Sequence, residues 1–142
     1  MNELRRPFRI VNADLIPQHA ALLVQDPACG AIATFIGTVR STNNERAVQS
    51  LEYEVHESMA IRQFEIMAQT LREKHDIHHI AIDHRRGTVP VGGISVVIAV
   101  SSPRRKASLA ACAEAIEILK SDVPIWKREI YSDGSTEWMK GS

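Results

Sequence analysis

The chain has 142 residues, enough for one domain with a real core and no stapling disulfides. Its 44% hydrophobic and 24% charged residues are ordinary for a soluble globular protein. Seventeen basic and seventeen acidic side chains cancel, so no global field draws nucleic acid or membrane, and any anion site must be a local concentration of charge.

Met1 to Pro7 is mostly polar, and no apolar run after it has the length of a signal core or a membrane span. The expected location is the cytosol. Cys29 and Cys112 form neither a Cys-x-x-Cys pair nor a metal knuckle, and read as buried thiols in a reducing compartment.

Phe8 to Val11 predicts a short first strand. Asn12 or Asp14 could cap a helix over Leu15 to Val24, with Pro17 in its first turn and Ile16, Ala20 and Leu23 on one side. Asp26-Pro27 ends it. Gly30 opens Ala31 to Arg40, apolar on both faces and therefore expected as a central strand, with Gly37 marking a bulge or a close backbone approach. Ser41 to Arg46 is polar and aperiodic, which predicts a loop and a mobile lid.

Leu51 to Val55 alternates with period two, as a strand with one wet face does. A helix follows over about 58–74, its stripe of Ala60, Phe64, Met67 and Leu71 facing the core. His75, His78, His79 and His84 raise the question of a metal. No carboxylate or cysteine completes a ligand set at helical or knuckle spacing, so solvated histidines are expected and no metal site.

Ile77 to Ile82 and Ile94 to Val100 are strands separated by turn signals at Gly87, Pro90 and Gly92-Gly93. Ser102 as cap and Pro103 at the first position start a last helix, packed through Leu109, Cys112, Ala113, Ile116 and Leu119 and ending near Lys120. Glu129 to Tyr131 and Thr136 to Trp138 flank Ser132 to Ser135 as a terminal hairpin. Strands and helices alternate, yet several strand links are short, so antiparallel pairing is substantial. The class is α+β, as a single domain over 1–142, without internal repeat or linker.

Two places concentrate positive charge. Arg104, Arg105 and Lys106 crowd a helix N-terminus, where the dipole disfavours cations but free backbone N–H groups bind anions. Arginine forks there suit a phosphate or carboxylate, and the competing reading is side chains extending into water. At the helix's other end, Pro124 breaks the chain between Lys120 and Lys127 and can turn both lysines towards one cleft. Two ammonium groups sharing a space ask for an anion and lower one another's proton affinity. The competing reading is a solvated helix end.

These residues also carry a resemblance. Phe35-Ile36-Gly37-Thr38-Val39-Arg40, Gly87 to Gly92, the Ser-Pro-Arg-Arg stretch, and Lys120 followed by Pro124-Ile125-Trp126-Lys127-Arg128-Glu129 resemble the catalytic (large) subunit of molybdopterin synthase, over about 30–138. The resemblance implies an α/β hammerhead-type fold with an additional antiparallel sheet. It implies an enzyme that builds the molybdopterin dithiolene on cyclic pyranopterin monophosphate, with no resident cofactor. Sulfur would arrive on the C-terminal glycine thiocarboxylate of a small ubiquitin-like carrier subunit, in a homodimer within a heterotetramer.

Carried over by motif, Lys120 and Lys127 are the expected catalytic lysines and Arg40 lines their pocket. Thr38, Val39, Arg104, Arg105, Arg128 and Glu129 are expected at the substrate. Arg104 stands where the family commonly has histidine, which keeps an anion contact but removes a group titrating near neutrality. Gly93 replaces a commonly acidic turn residue. Neither cysteine lies beside the basic cluster in sequence, so the sulfur is expected from outside. The alternative function is a non-catalytic module binding a nucleotide or nucleic acid; few aromatics (5%) and no stacking motif speak against nucleic acid.

Overall fold

The computed structural model describes residues 5–141; the first four residues of the polar start read over Met1 to Pro7 lie outside them. Nine strands and three helices run β1 (Phe8–Val11), α1 (Pro17–Leu23), β2 (Ala31–Thr38), β3 (Thr42–Asn43), β4 (Arg46–Val55), α2 (Glu57–Lys74), β5 (His79–Arg85), β6 (Gly87–Pro90), β7 (Ile94–Ser102), α3 (Arg105–Asp122), β8 (Ile125–Tyr131) and β9 (Thr136–Lys140) among the described residues.

One sheet has the order β1-β5-β7-β2, parallel between β1 and β5 and antiparallel elsewhere. The other has β3-β4-β8-β9 with β6 paired to β4. The architecture is α+β, as expected.

Period-two alternation gives the first sheet two apolar faces. Ile80, Ile82, Ile98 and Val100 meet Phe64 and Leu71 of α2 and Leu119 of α3 in the main core. Ala81, Val97 and Ala99 face the other way, onto Leu15, Ala20 and Val24 around α1. The stripe predicted for α2 is buried throughout: Ala60, Phe64, Met67 and Leu71 are each at most 2% exposed. Truncating Phe64 would cost about 3–5 kcal/mol. Among the described residues no helix is long and apolar enough to cross a membrane.

Several sequence expectations give way. Helix α1 is capped by Ile16 without a side-chain bond, because Asp14 turns instead to the Arg85 guanidinium at 3.3 Å; Ile16 itself points to solvent. Strand β2 is an edge, not a centre: α1 is too short to cover it, and Ile32 and Ile36 stay 42% and 43% exposed. Ser41 to Arg46 is no open loop. It closes the β3–β4 hairpin through Asn44 and Glu45, both with positive φ (49° and 65°), the backbone a two-residue turn of that hand requires.

The segment read as turns around Gly87 contains β6, whose Val89 is fully buried against β4. Helix α3 begins at Arg105; Ser102, just before it, accepts the Ser108 N–H and donates to the Arg104 carbonyl. Its core face is Ala111, Cys112, Ala115, Ile116 and Leu119, whereas Leu109 and Ala113 are exposed. Cys112 is buried and burial pushes its thiol up to about 11, but Cys29 is only half-buried. Asp26 and Cys29 come against His78 across 49 residues or more of sequence, a grouping of potential ligands that linear spacing does not show.

Candidate active site

Three chain segments converge where the two sheets meet. The first is the end of β2. A Cβ on Gly37 would lie 2.7 Å from the Val96 side chain, so only glycine lets β2 lie this close to β7, and the register slips between Gly37 and Thr38. Past the slip Thr38 is the last paired residue, and Val39 and Arg40 leave the sheet. Val39 is then pinned from both sides, its N–H on the Gly93 carbonyl at 3.0 Å and its carbonyl on the Gly92 N–H at 2.8 Å.

The second segment is the last turn of α3, which carries Lys120 before Val123 caps the helix and Pro124 turns the chain. The third is β8, entered at once through Ile125. Its alternation faces Ile125, Lys127, Glu129 and Tyr131 inward and puts Trp126 and Arg128 on the opposite side. Pairing with β4 sets Lys127 opposite Tyr53.

The result is a cleft of about 540 Å³ whose lining includes Thr38, Val39, Arg40, Lys120, Lys127 and Glu129. Six of the expected site residues are thus together. Lys127 is half-buried, and its ammonium is held below the usual lysine range by burial first, then by the charges of Lys120 and Arg40 nearby; Glu129 pulls the other way. Glu129 is only 3% exposed yet fully engaged: the Asn43 amide donates to both carboxylate oxygens at 2.7 and 2.9 Å, and the Tyr131 hydroxyl donates at 2.5 Å. That bond pushes the Tyr131 phenol up to about 12.

Three expected residues are elsewhere. Arg128 lies on the outer face of β8, in an ion pair with Glu52 and 5.2 Å from the Trp138 ring. Arg104 and Arg105 line a separate cleft with Gly30, Pro103, Lys106 and Leu109 at the far end of α3.

Sequence reasoning also missed residues in the main cleft, notably Asn43, Tyr53 and Ser95. Burial raises the Tyr53 phenol. The inward phase of Tyr53 was visible in the alternation of β4. Asn43 bonds across 86 positions, and nothing local announces that.

The fold has close counterparts. Over 144 aligned residues the chain is 42% identical to the molybdopterin synthase catalytic subunit of Bos taurus, covering 99% of this chain and 76% of that one. A crystal structure of molybdopterin synthase from Staphylococcus aureus superposes with a TM-score of 0.90 at 33% identity, over 94% of this chain and 97% of the other. One chain of a complex of subunits 1 and 2 of molybdopterin-converting factor from Helicobacter pylori shares the fold, with a TM-score of 0.77 at 23% identity over 95% and 91%.

The fold and these relatives define a class, the sulfur-transferring catalytic subunits of molybdopterin synthesis. The chain belongs to the MoaE protein family, whose model matches residues 10–122. Nothing among these relatives supports a non-catalytic anion-binding module.

Proposed function

We propose that the Lys120–Lys127–Arg40 cleft is where sulfur passes from the C-terminal glycine thiocarboxylate of a small ubiquitin-like carrier to cyclic pyranopterin monophosphate, forming the dithiolene. The observation that carries this reading is the half-buried ammonium of Lys127, lowered by burial and by two neighbouring cations within one cleft. A thiocarboxylate and a phosphate are both anions, and a basic cleft suits both. Breaking the acyl–sulfur bond requires a proton to move, and a lysine of lowered pKa gives one up more readily than a solvated lysine does. Lys127 is the proton-transfer group in this reading. Lys120 and Arg40 hold the anionic tail and substrate. Thr38 and Val39 flank them, and Glu129 fixes the strand on which Lys127 rides.

Arg104 and Arg105 enter as the phosphate contact of a second protomer. Arg105 and Lys120 are fifteen positions apart on one continuous helix, so their backbones are separated by roughly 22 Å. A single pterin phosphate does not span that, whereas a two-fold dimer can bring one end of α3 to the other end of its mate. The uncovered edge of β2, with Ile32 and Ile36 exposed, is an apolar face for such a dimer. The carrier then docks one per protomer, in keeping with the two-subunit complex of the Helicobacter relative. Arg128, tied to Glu52, braces β8 rather than substrate. The reaction belongs in the cytoplasm.

The test is incubation of the purified chain with the thiocarboxylated carrier and the pyranopterin. Dithiolene product, lost in Lys127→Ala, is expected. Binding of both ligands without turnover would overturn the reading.

A further inference from the structure

At the end of the molecule away from the lysine cleft, the loop after α1 is folded by two hydrogen bonds. The Asp26 side chain accepts the Ala28 N–H at 2.8 Å, and the Asp26 carbonyl accepts the Cys29 N–H at 2.8 Å. One turn therefore presents a carboxylate and a thiol together. Beside it, the His78 N–H donates to the Ser101 carbonyl at 2.9 Å, which fixes the approach to β5.

Across this gap the Asp26 carboxylate, the Cys29 thiol and the His78 imidazole each offer one ligand atom, all within 4.8 Å of one another. His78 Nδ1 is 3.4 Å from Asp26 Oδ2, and His79 Nε2 reaches the same oxygen at 2.9 Å from outside the trio. All three ligating residues are half-buried, open to solvent but held by backbone bonds.

We propose that Asp26, Cys29 and His78 form a zinc(II) site, with water in the fourth position. Tetrahedral zinc takes thiolate, imidazole and carboxylate at roughly 2.0–2.3 Å, which sets ligand atoms between three and four ångströms apart, so small side-chain rotations close the site. Oxygen-loving magnesium and calcium are excluded by the thiol and imidazole, which suit a borderline-soft ion. On binding, the Cys29 thiol releases its proton to solvent as the thiolate takes the metal. His78 binds as neutral imidazole.

The carboxylate is held on both oxygens, by the Ala28 N–H on Oδ1 at 2.8 Å and by the His79 ring on Oδ2 at 2.9 Å. His79 is then a positioning residue, an outer partner that orients the carboxylate. The buried Ser101 hydroxyl, in register opposite His79 and without a hydrogen-bond partner, leaves a spare polar atom at these strand ends.

The site has a structural consequence. The Gly30 N–H, one residue past Cys29, donates to the Pro103 carbonyl at 3.2 Å, immediately before Arg104 and Arg105. A metal clip on Asp26–Cys29 therefore braces the segment on which the basic start of α3 rests. The inference is independent of the sulfur-transfer reading and fails or stands without it.

The experiment titrates zinc alone into the metal-free full-length chain against a chromogenic chelator, and cobalt(II) as a spectroscopic substitute. One equivalent per chain is expected, with a sulfur-to-cobalt charge-transfer band. Cys29→Ser should abolish the band, and His78→Ala and Asp26→Asn should each weaken zinc by about tenfold or more. His79→Ala should weaken it while leaving the cobalt band in place. Absence of zinc binding in the unmodified chain overturns the proposal, as does a cobalt band that survives Cys29→Ser, because the thiol would then be Cys112. Circular dichroism of each variant excludes unfolding as the cause of lost binding.

Discussion

At the scale of single residues, the lysine cleft places a charge where the fold disfavours it. Lys127 binds its proton less tightly folded than unfolded. Between its folded pKa and the ordinary lysine value of about 10.4, the unfolded chain holds more protons, so stability rises with pH across that window. At neutral pH the buried ammonium is therefore a net cost. Lys127→Met is expected to melt at a higher temperature than the unmodified chain at pH 7 while losing sulfur transfer; a lower melting temperature would contradict it. Lys120→Ala, at an exposed helix end, should keep its fold and lose about a hundredfold or more in turnover. It should also raise the Lys127 pKa by removing a like charge, which nitrogen-15 NMR of the ammonium can follow. The lysine pair was legible in sequence because a proline between two cations is a local signal. Motif adjacency ignores strand phase: in β8 odd and even positions face opposite ways, which puts Arg128 outside the lysine cleft.

At the scale of elements, what sequence hid was pairing. Ser41 to Arg46 lacked periodicity because β3 is two residues long, and its turn uses Asn and Glu where Gly would announce a hairpin. Glu45 sits at a φ of 65°, a left-handed conformation that costs a side-chain residue about 1–2 kcal/mol. Glu45→Gly is accordingly expected to stabilise the chain by about 1 kcal/mol in urea unfolding, and a destabilised variant would argue against the hairpin. Strand β2 read as central because its outward isoleucines are apolar; sequence does not record that no strand and no long helix lies beyond them. A second element-scale expectation comes from β5, where His84 is fully buried and burial pulls its imidazole down to about 4, while Nδ1 lies 2.7 Å from the Arg85 carbonyl. The unfolded value is about 6.5, so the unfolded chain takes up the proton first. Stability should therefore fall as pH drops from 6.5 towards 4, by on the order of 3 kcal/mol, and level off below. Denaturant midpoints that stay flat across this range would refute it.

At the scale of the whole molecule, the two clusters of positive charge at opposite ends of α3 are one site only if two chains cooperate. Mixing Arg105→Ala with Lys120→Ala and allowing exchange should place about half the chains' dimers in a mixed form. Each mixed dimer has one intact and one doubly damaged pocket, so about a quarter of all pockets should recover. No recovery would assign both residues to the same chain. The α+β class, the three helices and most strands were legible because periodicity is written locally. The assembly of the second sheet was not, because contacts within it such as Asn43 to Glu129 bridge distant positions.

Gly141 adds a practical constraint to this picture. Its N–H donates to the Ile125 carbonyl at 2.7 Å, its φ is +105°, and a Cβ there would lie 3.2 Å from the Lys120 carbonyl. The far end of the sequence is thus stitched to the turn between the two lysines. A fusion or affinity handle joined at this end pulls on that stitch, and an inactive fusion would report a displaced turn rather than the chemistry of either lysine.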